Sequence, residues 1–135
     1  MNQKELILKY RTAGLLKGHR PCVILLKKNN GKIYTDAAAD FLMTIGKENL
    51  HFQRLSLFSK KLLPEKDFAV SLARLKSYNL RQVGMVMKCL TLYTVEKFYL
   101  EIFFYFNTRD SYVTNDNIAS IIKMLEEKGV KELKS

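Results

Sequence analysis

Residues 62–83, LLPEKDFAVSLARLKSYNLRQV, decide the fold class of this chain, because helical and extended patterns meet within them. Pro64 ends the apolar spacing that precedes it, since a proline ring cannot continue a helix. The apolar residues of FAVSLARL (68–75) fit one face of a helix and also approach the alternation of a strand, so both interpretations stay open. After Asn79 the pattern favours strands.

Two segments downstream, VGMVMKCLTLYTV (83–95) and KFYLEIFFYF (97–106), are rich in β-branched and aromatic residues. Such residues suit the pleated surface of a sheet, so we expect two long antiparallel strands with a polar Glu96-Lys97 pair between them.

The end of the chain has the pattern of an amphipathic helix. Thr114 or Asn115 can cap its start, and Lys128 and Gly129 suit its end. A buried face is predicted by apolar residues at helical spacing, which are Ile118, Ile121, Ile122 and Leu125.

The N-terminal part contains a hairpin signal. CVILLKK (22–28) and KIYTD (32–36) flank Asn29-Asn30-Gly31, and an Asn-Gly pair accepts the positive φ angles of a tight hairpin turn. Upstream, we predict a further strand at ELILKYRT (5–12), connected by KGHRP (17–21).

Two segments between these regions are less regular. DAAADFLMTIG (36–46) fits either a helix or a strand, and RLSLFSKKLL (54–63) has near-helical spacing that predicts a short helix. The chain as a whole therefore predicts a mainly β, α+β fold of antiparallel strands with short helices and a C-terminal amphipathic helix.

Length and composition predict one globular domain over residues 1–135, since 47% of the residues are apolar. No apolar run reaches the roughly 20 residues that span a bilayer, and the N-terminus lacks the long apolar core of a signal peptide, so we expect a cytoplasmic protein. In that compartment Cys22 and Cys89 are expected to be reduced core residues.

Catalytic and metal-binding motifs are missing from the sequence, so we expect neither an enzyme nor a metal or cofactor. An enzyme stays the third hypothesis, and it would need a pocket that brings Asp36, Asp40 and His51 together.

Basic residues outnumber acidic ones by 23 to 13, which gives a net charge of +10 and indicates an anionic partner. Arg74, Lys76 and Arg81 lie around Asn79, with Tyr78 between them. Arginine and asparagine can form paired hydrogen bonds to guanine and adenine edges, whereas lysine suits phosphates. An ordinary amphipathic strand or helix with solvated basic residues is the simpler interpretation of this cluster.

The order of four segments resembles the LytTR-type DNA-binding domain of bacterial regulators. IYTDAAADFLMTI (33–45) is similar to the first strand of that family, and LSLFSKKLLP (55–64) to its short helix with a closing Leu-Pro. DFAVSLARLKSYNLRQV (67–83) resembles the third segment, and YVTNDNIASIIKML (112–125) the terminal one.

This resemblance, over about residues 32–125, implies an elongated β core that binds duplex DNA as a transcriptional regulator. It implies DNA contacts at the 38–40 turn and at six residues, namely Arg74, Lys76, Asn79, Arg81, Thr114 and Asn115. We assign base edges to Arg74 and Asn79, and phosphates to Lys76 and Arg81. Duplex DNA is the expected partner and a homodimer is allowed, whereas a small-molecule substrate and a membrane are not expected.

The alternative is a non-enzymatic interaction module of pleckstrin-like type, which the series of antiparallel strands before one C-terminal helix also fits. In this hypothesis the basic hairpin residues Lys27, Lys28 and Lys32 meet an anionic membrane or an acidic protein. Dependence of binding on anionic lipid distinguishes this module from a DNA-binding domain.

Overall fold

Strands are the most abundant regular structure in the computed structural model, which describes residues 2–29, 38–96, 98–109 and 111–134. The helices are α1 (Gln3–Thr12) and α2 (Tyr112–Glu127). The strands are β1 (His19–Asn29), β2 (Ala39–Ile45), β3 (Asn49–Arg54), β4 (Phe68–Ser71), β5 (Leu75–Val83), β6 (Met87–Thr94), β7 (Tyr99–Tyr105) and β8 (Lys131–Glu132). Short 3-10 turns at Pro64–Lys66 and Leu72–Arg74 lie on either side of β4.

Within this described part the strands form one sheet in the order β4-β3-β2-β1-β7-β6-β5-β8. The neighbours pair antiparallel, except for the parallel contact between β5 and β8. Strand β1 pairs with β2 on one side and with β7 on the other, so it joins two halves of the sheet. Both halves contribute to one main core, whose fully buried members include Phe52, Leu90, Leu92, Leu100 and Ile102.

Helix α2 covers this core as its apolar spacing predicts. Ile118, Ile121 and Leu125 are buried in it, and Ile122 is partly buried against it. The helix begins at Tyr112, before the two predicted capping residues, and it ends as predicted near Gly129, whose φ of +92° suits glycine.

The predicted N-terminal strand is wrong, because residues 5–12 belong to helix α1. The Asn2 side chain caps this helix by accepting a hydrogen bond from the Glu5 backbone N–H at 2.9 Å. Leu6 and Tyr10, four residues apart, share a face that packs in a second, smaller core. Tertiary burial of that face decides the conformation, since the LIL run alone also suits a strand.

The predicted helix at 54–63 is also wrong. Arg54 ends β3, and Leu55 forms an isolated antiparallel bridge with Leu62, so the intervening residues make a turn. Lys60 has a φ of +53°, which a right-handed helix does not accommodate.

The ambiguous segments are strands. Residues 39–45 form β2, and residues 68–75 split into β4, a 3-10 turn and the start of β5. β1 and β2 pair antiparallel from Leu26 and Ala39, whereas the predicted Asn-Gly turn and the strand at 32–36 lie outside the described residues. The mainly β class with a C-terminal helix is therefore confirmed, and the LytTR-like elongated core stays a prediction.

Candidate functional site

The four predicted DNA-binding residues of the central segment lie on or next to β5. Arg74 precedes the strand and pairs with Glu96, and Arg81 pairs with Glu101 at 3.4 Å. Asn79 donates a side-chain hydrogen bond to the Leu133 carbonyl at 2.9 Å. Lys76 is exposed. Three of the four side chains therefore have a partner within the chain.

The other predicted contacts lie elsewhere. Thr114 is fully buried and hydrogen-bonds to Gln3 at 2.6 Å, so its side chain is not available to DNA. Asn115 donates to the Phe106 carbonyl at 2.8 Å. The expected 38–40 turn is not a turn, because Ala39 and Asp40 begin strand β2, and Asp40 pairs with Lys60 at 2.9 Å. The structure thus brings together the β5 residues but not the full predicted set.

A different set of side chains converges where the two edges of the sheet approach each other. Strand β4 is one edge, and the turn at 72–74 carries the chain directly from it to β5 near the other edge. A cavity of about 310 Å³ opens at this corner. Its lining among the described residues comprises Lys28, Asn29, Phe68, Ala69, Val70, Arg74, Phe98 and Leu100, and we call it the corner pocket.

The floor of the corner pocket is apolar and well packed. Phe68 stacks on Phe52 with ring centroids 4.9 Å apart, and it meets Phe41 edge-on at 5.6 Å. Val70 and Leu100 are buried beside it in the main core. Phe68 and Val70 lie on β4 and Leu100 lies on β7, so the sheet itself holds this part of the lining.

Two cationic groups border this apolar floor. The Lys28 ammonium lies 3.5 Å from the centroid of the Phe68 ring, in the geometry of a cation–π contact. The Arg74 side chain is 54% exposed and reaches Glu96 in the turn after β6. The backbone fixes this arrangement, because the Val95 N–H donates to the Arg74 carbonyl at 2.9 Å.

Arg74 can still bind an external anion, although its guanidinium pairs with Glu96. The hydrogen bond that Arg74 donates to Glu96 is the main cause of the lowered pKa of the Glu96 carboxyl. Exposed ion pairs of this kind contribute little to stability, because solvent screens the two charges. An anionic ligand could therefore replace Glu96 at the guanidinium with little loss to the fold.

Sequence patterns identify only part of this site. Lys28 and Arg74 belong to two different sequence hypotheses, and the pocket unites them. Phe68 and Phe98 carry no functional signal in the sequence, because they meet only when β4 and the start of β7 line the same pocket. A regular spacing could not have revealed residues that come from four separate segments.

The described residues contain no group of three His, Cys, Asp or Glu side chains placed to hold a metal ion. Of the possible catalytic set, Asp36 lies outside the described residues. Asp40 pairs with Lys60. His51, on β3, lies opposite Thr44, which is four residues after Asp40 on β2. Burial, followed by the nearby charge of Lys17, lowers the pKa of His51.

No described helix has both the length and the apolarity to cross a membrane.

Comparison with known proteins identifies a shared fold. No protein-family model matches the chain, and no curated protein matches it significantly. Among solved structures, it is similar to the hSac2 domain from the human phosphoinositide phosphatase Sac2, with a TM-score of 0.60 and 13% sequence identity. The match covers 100% of this chain and 91% of that domain, so the likeness extends over the whole fold.

Proposed function

We propose that this chain is a non-catalytic binding module that attaches to anionic membrane surfaces through the corner pocket. The observation that carries the proposal is the pair of cationic groups, Lys28 and Arg74, at the border of an apolar floor. A lipid headgroup has the complementary chemistry, since its phosphate meets the cations while its glycerol and upper acyl carbons contact Phe68 and Phe98.

The charge of the whole chain supports the same partner. A net charge of +10 attracts the protein to an anionic bilayer, where each basic residue near the surface contributes about 1 kcal/mol. Such attraction acts over about a Debye length and needs no transmembrane segment.

The structural comparison adds support by analogy. The similar hSac2 domain belongs to a protein named as a phosphoinositide phosphatase, and phosphoinositides are anionic membrane lipids. At 13% identity the likeness concerns the fold, so the argument for binding rests on the pocket.

Vesicle co-sedimentation tests the proposal. The protein should pellet with phosphatidylcholine vesicles that contain phosphatidylserine or phosphatidylinositol phosphates, and not with phosphatidylcholine alone. Lys28→Glu should reduce pelleting about tenfold or more, because it reverses a charge at the pocket. Lys123→Glu, an exposed position on α2, makes the same charge change away from the pocket and should have a much smaller effect. Equal losses in both variants would show that only net charge matters.

Duplex DNA binding by a transcriptional regulator stays a prediction, favoured by the exposed Lys76 beside Arg74 and Asn79 along β5. It predicts mobility shifts that weaken steeply between two salt concentrations. It also predicts that Asn79→Ala costs about 1–3 kcal/mol of discrimination at one base position. In the membrane proposal, Asn79→Ala leaves vesicle binding unchanged, so this variant separates the two functions.

A further inference from the structure

The loop between β3 and β4 holds two large apolar side chains in solvent. Leu57 is 67% exposed and Phe58 is 93% exposed, at the tip of a turn spanning residues 56–61. Neither side chain contributes to the buried clusters of the described residues. We call this turn the apolar tip.

Backbone and serine hydrogen bonds close the apolar tip into a defined shape. The Ser56 N–H donates to the Lys61 carbonyl at 2.8 Å, and the Lys61 N–H donates to the Ser56 hydroxyl at 2.9 Å. The Ser56 and Ser59 hydroxyls lie 2.7 Å apart. The ring of contacts therefore lies at the base of the turn, and Leu57 and Phe58 project from it.

Two further contacts anchor the base of the turn to the body of the protein. The Tyr10 hydroxyl, on α1, donates to the Lys60 carbonyl, and the Lys60 ammonium pairs with Asp40 of β2. Both partners belong to regular elements, so the apolar tip is held outward. Its exposure is therefore a property of the fold, although apolar side chains of this size are usually more stable when buried.

The apolar tip leads into β4, the strand that lines one side of the corner pocket. The chain passes from the turn through Pro64–Lys66 into Phe68, the ring beneath the Lys28 ammonium. The Arg54 N–H donates to Asp67 at 2.8 Å and ties the two ends of this connection together. A short, hydrogen-bonded stretch of chain therefore joins the apolar tip to the floor of the corner pocket.

We propose that Leu57 and Phe58 insert into the acyl region of the bilayer while Lys61 stays at the level of the anionic headgroups. This inference rests on the proposed membrane function and adds the element that would make the attachment partly hydrophobic. Two projecting side chains beside basic residues match a bilayer interface. They are too few for a stable protein interface, which buries about 1,200–2,000 Å².

The absence of tryptophan from the sequence permits a direct test. Phe58→Trp introduces the sole indole at an exposed position. With vesicles containing phosphatidylserine, its emission should shift to the blue and should be quenched by lipids brominated on their acyl chains. Met85→Trp is the control, since Met85 is 85% exposed in the β5–β6 turn, at the far end of β5 from Arg74. Its emission should stay unchanged.

A loss-of-function pair completes the test. The double variant that combines Leu57→Ser and Phe58→Ser should fold normally, because both side chains are exposed. It should lower vesicle partitioning about tenfold or more. Pelleting of the wild type without a shift in Phe58→Trp would overturn insertion and leave the corner-pocket proposal intact. Failure of the wild type to pellet would overturn both. Concentration-dependent dimers that disappear in the serine variant would assign the tip to a protein contact and overturn insertion as well.

Discussion

Tyr78 couples the sheet to the C-terminal helix through one polar atom. The residue is buried in the main core, and its hydroxyl donates to the Glu126 carboxylate at 2.9 Å. Burial, followed by the hydrogen bond to Glu126, raises the pKa of Tyr78 from 10.0 to about 12. The folded state therefore favours the protonated phenol over the range in which an unfolded chain would lose its proton.

The raised pKa predicts a loss of stability at alkaline pH. Below pH 10 the stabilisation is fully present, and it is lost as the pH rises from 10 towards 12, since the unfolded chain releases the proton first. Tyr78→Phe should cost about 0.5–1.5 kcal/mol at neutral pH through the lost hydrogen bond. It should also flatten the alkaline decline relative to wild type. Urea unfolding between pH 8 and pH 12 measures both effects.

The control for this prediction is Tyr112→Phe, which removes a phenol from an exposed position on α2. Its alkaline decline should match that of the wild type. If Tyr78→Phe and wild type declined in parallel, the deprotonation of other groups would account for the alkaline loss.

At the scale of elements, α1 offers a sharp test of helix against strand. Leu6 is 4% exposed and Leu8 is 57% exposed, as expected for residues two apart on a helix, which point about 200° apart. In a strand the two would share one face. Leu6→Ala should therefore cost about 2–5 kcal/mol, whereas Leu8→Ala should stay within about 0.5 kcal/mol. Denaturant unfolding of the two variants gives the comparison, and equal losses would contradict the helix.

Elements with strong local signals are the ones that the sequence predicts. Helix α2 has a complete apolar stripe, and β6 and β7 form the expected antiparallel pair. Helix α1 and the 56–61 turn are decided by distant partners, since Leu6 packs with Leu42 and Leu55 and the Lys60 carbonyl meets Tyr10. Short apolar runs of this kind fit a helix or a strand equally well until their tertiary contacts are known.

The same limit applies to the candidate site. Sequence composition indicates an anionic partner, and it identifies Lys28 and Arg74 as basic positions in separate segments. Their meeting depends on the sheet order and on how the sheet curves, because β3 and β2 separate β4 from β1 and yet β4, β1 and β7 line the same pocket. That order follows from the pairing register of the whole sheet and has no local signature.

At the scale of the whole molecule, the shared strand β1 predicts a single cooperative unit. Cys22 lies on β1 and Cys89 on β6, both free and fully buried, and burial raises the pKa of each thiol. Because the reactive species is the thiolate, neither should be modified in the folded state at neutral pH. Both should become reactive together as the sheet opens.

Pulsed alkylation across a urea gradient, followed by peptide mass spectrometry, measures the two cysteines separately in the unmodified chain. We expect coincident midpoints for Cys22 and Cys89, equal to the midpoint from circular dichroism. Modification of Cys89 at clearly lower urea would show that β5–β7 opens before β1–β4, as independent halves would. Coincident midpoints would instead mean that the corner pocket, which is lined by residues of β1, β4 and β7, opens only when the whole sheet unfolds. A binding site of that kind is held rigid by global stability, and a substitution that weakens the core would then reduce vesicle binding only by lowering the folded fraction.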